Sequence, residues 1–235
     1  MRTKAASYPQ STNPVLVARD GRKTRDALLR VGLHHYKQGG YEATSLRKIT
    51  EELGITVAAT YYHFRSKDEL LVAAFKRDLE FLRTAHEKCS ADLSVPEQLW
   101  TFVQLHTRLQ RTDETTAHQP YGAPLLVNSI PVDAAQPLIE IIRSIRDRLR
   151  GIIAAGVRNK CFDKVNPTAT SYAIFGMSHQ INYWYHPGGA LDLDRLSIMY
   201  ADFALRIVGA EAVRNHAQLL KRTSAALLEA SAEHG

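Results

Sequence analysis

The sequence predicts an all-α fold, and two observations carry that prediction. Residues 44–67, TSLRKITEELGITVAATYYHFRSK, read as a short helix, a glycine turn, a second short helix and an aromatic-basic exit. From Lys67 onward apolar side chains recur at spacings of three and four, segment after segment, between capping residues and Pro or Gly stops.

Residues 1–20 hold Pro9, Pro14, Ser7, Ser11, Thr12 and Asn13 and show no helical period, so they read as a flexible basic arm. The arm is either idle or brought to DNA by Arg2, Lys4 and Arg19. Thr24 or a near neighbour opens the first long helix, with Leu28, Val31 and Tyr36 on its apolar side, and Gly39-Gly40 ends it. His35 on that helix is expected to be buried and hydrogen-bonded. Ser45 then caps a helix carrying Leu46, Ile49 and Leu53 on one face. Gly54 stands where a helix end favours a left-handed residue, and Thr56 caps a second helix over 57–64.

This is the helix-turn-helix arrangement, whose second helix enters the DNA major groove. Val57, Ala58 and Ala59 are small enough for that helix to lie close to a groove wall. Tyr61, Tyr62 and His63 bring hydroxyl and imidazole groups to phosphates or base edges, and Arg65 and Lys67 follow for backbone phosphate. The rival reading is an ordinary helical hairpin with surface tyrosines.

The body follows as a series of longer helices. Ser66 with Glu69 forms a capping box ahead of Leu70, Leu71, Ala74, Phe75, Leu79 and Leu82. Ser94 and Pro96 start a helix through Leu99, Trp100, Val103, Leu105 and Leu109. The stretch 112–124, TDETTAHQPYGAP, is a loop or a set of broken turns, either a pocket entrance or a plain connector. Asp133 or a neighbour opens a helix with Leu138, Ile141, Ile145, Leu149 and Ile152 on one side. Arg143, Arg146, Arg148, Arg150, Arg158 and Lys160 dress its other side, as a solvated face or a second nucleic-acid site. Asn166-Pro167 starts a helix that His186-Pro187-Gly188-Gly189 breaks, and Asp192 or Asp194 opens the next. These two helices, 167–185 and 193–208, are apolar nearly all round, which fits one side on the body and one on a partner subunit.

Charge separates the two parts. Residues 1–65 hold eleven Lys/Arg against five Asp/Glu, while the remainder holds nineteen of each, so the entire excess of +6 lies with the helix-turn-helix. A polyanion-binding head on a neutral body has this signature, although a solubilising tail does too. No stretch approaches the roughly 20 apolar residues of a membrane helix, and the N-terminus has no apolar signal core. Cys89 and Cys161 show no metal-ligand spacing and read as reduced structural thiols, which places the chain in the cytoplasm. Glycine-rich phosphate loops, nucleophile elbows and His-x-x-x-His pairs are absent, so neither an enzyme nor a cofactor or metal site is expected.

From about Thr24 to Leu79 the chain resembles the TetR-type transcriptional regulators. The match runs through Gly40-Tyr41, Thr44-Ser45, Ile49, Leu53-Gly54-Ile55 and Tyr61-Tyr62-His63-Phe64, then Lys67 and Leu70. The resemblance implies a homodimer with a three-helix DNA-binding head and a larger ligand-sensing, dimerising body. The domains then fall at 1–20 for the arm, 21–66 for the head and 67–235 for the body. DNA-facing positions are Thr44, Ser45, Thr56, Val57, Ala58, Tyr61, Tyr62 and His63, with Lys67 on phosphate. Family members often carry a basic residue where Val57 stands, and that charge is missing here.

The segment 151–189 also resembles, more loosely, the body of relatives that sense lipid or acyl-coenzyme A metabolites, through Gly156, Phe162 and Asn182-Tyr183-Trp184-Tyr185. Trp100, Phe102 and His106 in one helix, and Phe175, His179, Asn182 and Tyr183 in another, share helix faces at spacings of three and four. They are either plain core or the lining of an apolar effector pocket for a lipid, acyl-thioester or polycyclic molecule. The function expected is a ligand-released repressor on a pseudo-palindromic operator. Its rival is a sequence-tolerant architectural DNA-binding protein with no effector.

Overall fold

The computed structural model describes residues 21–90, 92–110, 123–186 and 188–234. The arm expected over 1–20, and residues 112–122 of the expected loop, lie outside them. Among the described residues every regular element is a helix. Contacts divide the chain after Ala74 into a head and a body.

In the head, α1 (Gly21–Ala43) already runs at Gly21, so Thr24 is a buried residue within the helix rather than its cap. The helix is interrupted at Gly40 (φ 74°, ψ −170°), a conformation open to glycine, and then resumes for a last turn. Next come α2 (Leu46–Leu53) and α3 (Val57–His63). Ser45 has extended N-cap geometry, but its side chain makes no capping bond. The turn between α2 and α3 is a Schellman motif. Gly54 (φ 63°, ψ 28°) donates to Glu51 O at 3.3 Å, and Ile55 donates to Thr50 O at 3.2 Å.

The helix α4 (Lys67–Cys89) opens with Glu69 N on Ser66 Oγ at 3.1 Å. The Glu69 carboxylate reaches back to Arg65 N at 2.7 Å, one residue earlier than a standard capping box. Leu28, Leu29, Ile49, Phe64, Leu70 and Leu71 are fully buried and form the head core. A Cβ on Gly32 would lie 2.2 Å from Leu70 Cδ2, so α1 meets Leu70 at backbone distance. His35 keeps the expected hydrogen bond, to Glu52 at 2.8 Å, but is only half-buried.

The body is built around α5 (Val95–Gln110), whose side chains from Leu99 onward are buried almost without exception. It packs against α7 (Val132–Arg158), α8 (Pro167–Trp184), α9 (Leu193–Ile207) and α10 (His216–His234). A helix enclosed on nearly every side has no solvated face to show, so its large polar side chains Gln104, His106 and Gln110 are buried with the apolar ones. The short α6 (Ala123–Val127) begins inside the stretch expected to be loop, and α7 starts at Val132 behind Pro131. Asn166 caps α8 by accepting from Thr168 N and Ala169 N, both at 3.0 Å, and Asp192 caps α9 through Arg195 N at 2.7 Å. Gly156 lets the Phe162 ring close over the end of α7, since a Cβ there would sit 2.0 Å from that ring.

Candidate DNA-reading helix and effector site

The head presents α3 with a clean division of faces. Thr60 and Phe64, four apart, point into the core, while Val57, Ala58, Tyr61 and Tyr62 point out. Tyr62 is 85% exposed, far above what core anchoring allows, so its ring is presented rather than packed. The half-buried His63 ring meets it edge-on with centroids 5.1 Å apart. Thr56 Oγ1 accepts from Ala59 N at 3.1 Å, which uses its oxygen as the cap and leaves its hydroxyl proton for an acceptor such as phosphate.

The other expected DNA-facing residues are set differently. Thr44 is buried and donates to Gly40 O at 2.8 Å, so it holds the α1–α2 connection together. Ser45 is half-buried at the start of α2. Lys67 donates to Tyr41 O at 2.9 Å, and its ammonium lies 3.7 Å from the Tyr41 ring centroid. Tyr41 in turn donates to Asp68 at 2.6 Å, and that hydrogen bond with burial pushes its phenol up to about 12.

In the body, five of the seven expected effector residues come together. Phe102 and His106 of α5 meet Phe175 and His179 of α8, with ring centroids between 4.9 and 6.1 Å apart, and Asn182 joins through hydrogen bonds. Asn182 Nδ2 donates to Gln110 Oε1 at 3.3 Å, and Gln110 Nε2 donates to His106 Nε2 at 3.0 Å. That order leaves the proton of a neutral His106 on Nδ1.

Trp100 and Tyr183 do not join this cluster. Trp100 is fully buried elsewhere, donating to Asp202 at 2.8 Å and stacked on His216 at 5.1 Å. Tyr183 stands 70% exposed. The physical reason is rotation about the helix: Trp100 is two residues from Phe102, and Tyr183 is one from Asn182.

His86 of α4 completes the cluster. Its ring stacks on Phe102 with centroids 3.9 Å apart and lies 5.8 Å from His106. It is fully buried, and neither ring nitrogen has a hydrogen-bond partner among the described residues. Burial, reinforced by the Arg148 guanidinium, pushes its pKa down to about 3. Burial also lowers His106 well below the usual imidazole range, with His179 and His86 adding to the effect, and burial lowers His179. His106 Nδ1 and Asn182 Oδ1 are likewise buried without partners. Sequence reasoning missed His86, although Phe75, Leu79, Leu82 and His86 continue one stripe at spacings of four, three and four.

A glycine-turned helix pair exposing small and tyrosine side chains has the form of a DNA-reading helix-turn-helix, and the chain also carries a helical body with neutral polar groups inside. The family model for bacterial regulatory proteins of the tetR family matches residues 28–74, and that for the tetracyclin repressor-like C-terminal domain matches 92–208. The chain belongs to the TetR family of bacterial regulatory proteins.

It is 22% identical to the fatty acid metabolism regulator protein of Bacillus subtilis over 163 residues, 68% of this chain and 82% of that protein. It is 30% identical to the repressor KstR of Mycolicibacterium smegmatis over 92 residues, 38% of this chain and 45% of that one. Among solved structures it resembles PfmR of Thermus thermophilus (25% identity, TM-score 0.66), covering 79% of this chain and 99% of that one. It shares its fold with AibR in complex with isovaleryl coenzyme A and operator DNA (19% identity, TM-score 0.67), covering 80% of this chain and 99% of that one. No described helix is long and apolar enough to cross a membrane.

Proposed function

We propose that the chain is a DNA-binding repressor, released from its operator by a hydrophobic effector that binds where His86, Phe102, His106, Phe175, His179 and Asn182 meet. The observation that carries this reading is the set of buried polar atoms without partners in that cluster. Each costs about 1–3 kcal/mol while unpaired, a penalty that a bound molecule with matching groups removes. Neutral His86 offers one donor and one acceptor, His106 Nδ1–H a donor and Asn182 Oδ1 an acceptor. A largely apolar molecule with a carbonyl and a hydroxyl or amide fits this pattern better than a sugar or an ion, since the surrounding rings are apolar and the imidazoles are held uncharged. An acyl-thioester or an oxygenated polycycle has that chemistry. The fatty acid regulator and the isovaleryl-coenzyme A complex of AibR lean toward the thioester.

On the DNA side, Tyr61 and Tyr62 with Val57 and Ala58 enter the major groove. Thr56, His63 and Lys67 hold phosphate, and Thr44 and Ser45 set the angle of the helix pair. The protein acts in the cytoplasm as a homodimer. Its self-association face is the exposed side of α8, Gly176, Gln180, Tyr183 and Trp184, at spacings of four, three and one. Leu205 of α9 is buried in its own body at 2% exposure, so Leu205→Glu tests folding and Trp184→Glu tests assembly.

The test is an operator-release and thermal-shift screen with acyl-coenzyme A esters, steroids and hydrophilic metabolites, repeated on Phe175→Ala and Asn182→Leu. Release by an acyl-thioester or steroid, weakened in both variants, is the expected result. Release by a hydrophilic metabolite, unchanged in both, overturns the site.

A further inference from the structure

The arginine row of α7 does not behave as one face. Arg148 turns inward to the Ser90 hydroxyl and sits beside His86. Arg143, Arg146 and Arg150 line a groove of about 250 Å³ with Thr168, Ser171 and Tyr172 from the first turns of α8. Asp147 also lines it and pairs with Arg150 at 3.3 Å, so three guanidinium groups face one carboxylate. No described carboxylate pairs with Arg143 or Arg146. The Arg146 guanidinium lies 5.4 Å from the Tyr172 ring centroid, and that tyrosine is 55% exposed.

We infer that this groove binds the phosphate groups of a small organic anion carrying a planar ring, with a nucleotide diphosphate as the ligand class. The net positive lining selects an anion, and the positive end of the α8 macrodipole adds to it. Arg143 to Arg150 spans about 10 Å along α7, enough for more than one phosphate and more than a lone sulfate needs. The exposed Tyr172 ring supplies a stacking surface beside the charges. At about 250 Å³ the groove is smaller than the roughly 300–1,000 Å³ of sites that enclose a whole drug-sized ligand, so it suits one end of a molecule. The same chemistry comes from a free nucleotide or from the nucleotide end of a coenzyme thioester. The inference does not depend on the histidine cluster.

Calorimetric titration of the full-length protein with ADP, inorganic pyrophosphate, adenosine and coenzyme A tests it, in the wild type and in Arg143→Gln/Arg146→Gln and Tyr172→Ala. ADP is expected to bind, adenosine at least tenfold more weakly. The double variant should lose tenfold or more for ADP and pyrophosphate, and Tyr172→Ala should lose affinity for ADP alone. Coenzyme A binding more tightly than ADP assigns the groove to a thioester carrier, and equal binding assigns it to the free nucleotide. Sedimentation and circular dichroism of the variants confirm that assembly and fold are intact. ADP affinity unchanged in the double variant overturns the site. Loss of operator affinity in that variant without any ADP binding to the wild type overturns it in favour of a DNA-phosphate contact.

Discussion

Head and body differ in how many buried polar atoms they leave unpaired among the described residues. In the head, Thr44 and Thr50 are buried and donate to backbone carbonyls at 2.8 and 2.7 Å, and Tyr41 is held by Asp68, leaving Thr60 Oγ1 as the exception. In the body, both His86 nitrogens, His106 Nδ1, Gln104 Oε1 and Asn182 Oδ1 are buried without partners among the described residues. A surface that must meet DNA in one geometry gains from a scaffold whose internal bonds are already made. A site that must respond to a molecule gains from bonds still to be made, at a cost in resting stability.

Acid is the strongest way to drive the two apart. His86 and His106 hold fewer protons folded than unfolded, so stability is flat above the ordinary imidazole value of about 6.5 and falls as pH drops below it. At pH 5 His86 alone is expected to cost the body about 2 kcal/mol, and His106 adds to this. Denaturation followed by a body probe from pH 7.5 to 5 should show the body transition falling by at least that amount.

Replacing His86 by Phe keeps the stack on Phe102 and removes two unpaired nitrogens. It is expected to stabilise the body by about 1–2 kcal/mol, flatten part of the acid dependence and abolish effector release without changing operator affinity. Chemical denaturation and a DNA-release assay check the two halves of this outcome.

How much of this was legible beforehand follows from which interactions are local. Gly54, Thr56 and Asn166 act through bonds to residues two to five positions away, and each stood at its cap or turn in the sequence. The DNA-facing set on α3 came from the family resemblance, and of it Val57, Ala58, Tyr61 and Tyr62 lie on the exposed face. Tertiary geometry was not legible. A stripe on α5 cannot reveal which neighbour each side meets when that helix is buried all round, so Trp100 was grouped with Phe102 although it faces Asp202 and His216. His86 was hidden because a histidine ending a leucine stripe reads as the edge of the core. The arginines of α7 could not be divided into Arg148 inward and the others outward without Ser90 and Tyr172 in place.

The head offers two smaller tests. Tyr62→Ala removes a ring that packs on little besides His63, so it is expected to weaken operator binding about tenfold with no measurable change in thermal midpoint. Fluorescence anisotropy on a labelled operator measures the first, and calorimetry the second. Thr56→Ala removes the α3 cap and is expected to cost the head about 1 kcal/mol, while Thr56→Ser restores it. A denaturant titration of the three proteins measures that difference.

Trp100 and Trp184 are the chain's two indoles, and both belong to the body. Trp100 is sealed inside against Asp202 and His216, whereas Trp184 stands 45% exposed at the end of α8. Their emission is therefore blind to the head and splits into a blue-shifted and a red-shifted population. Dilution that separates two copies along α8 should alter only the red one, and unfolding the core should shift the blue one. The chain thus carries an intrinsic optical label that distinguishes separation of the subunits from loss of the body's interior.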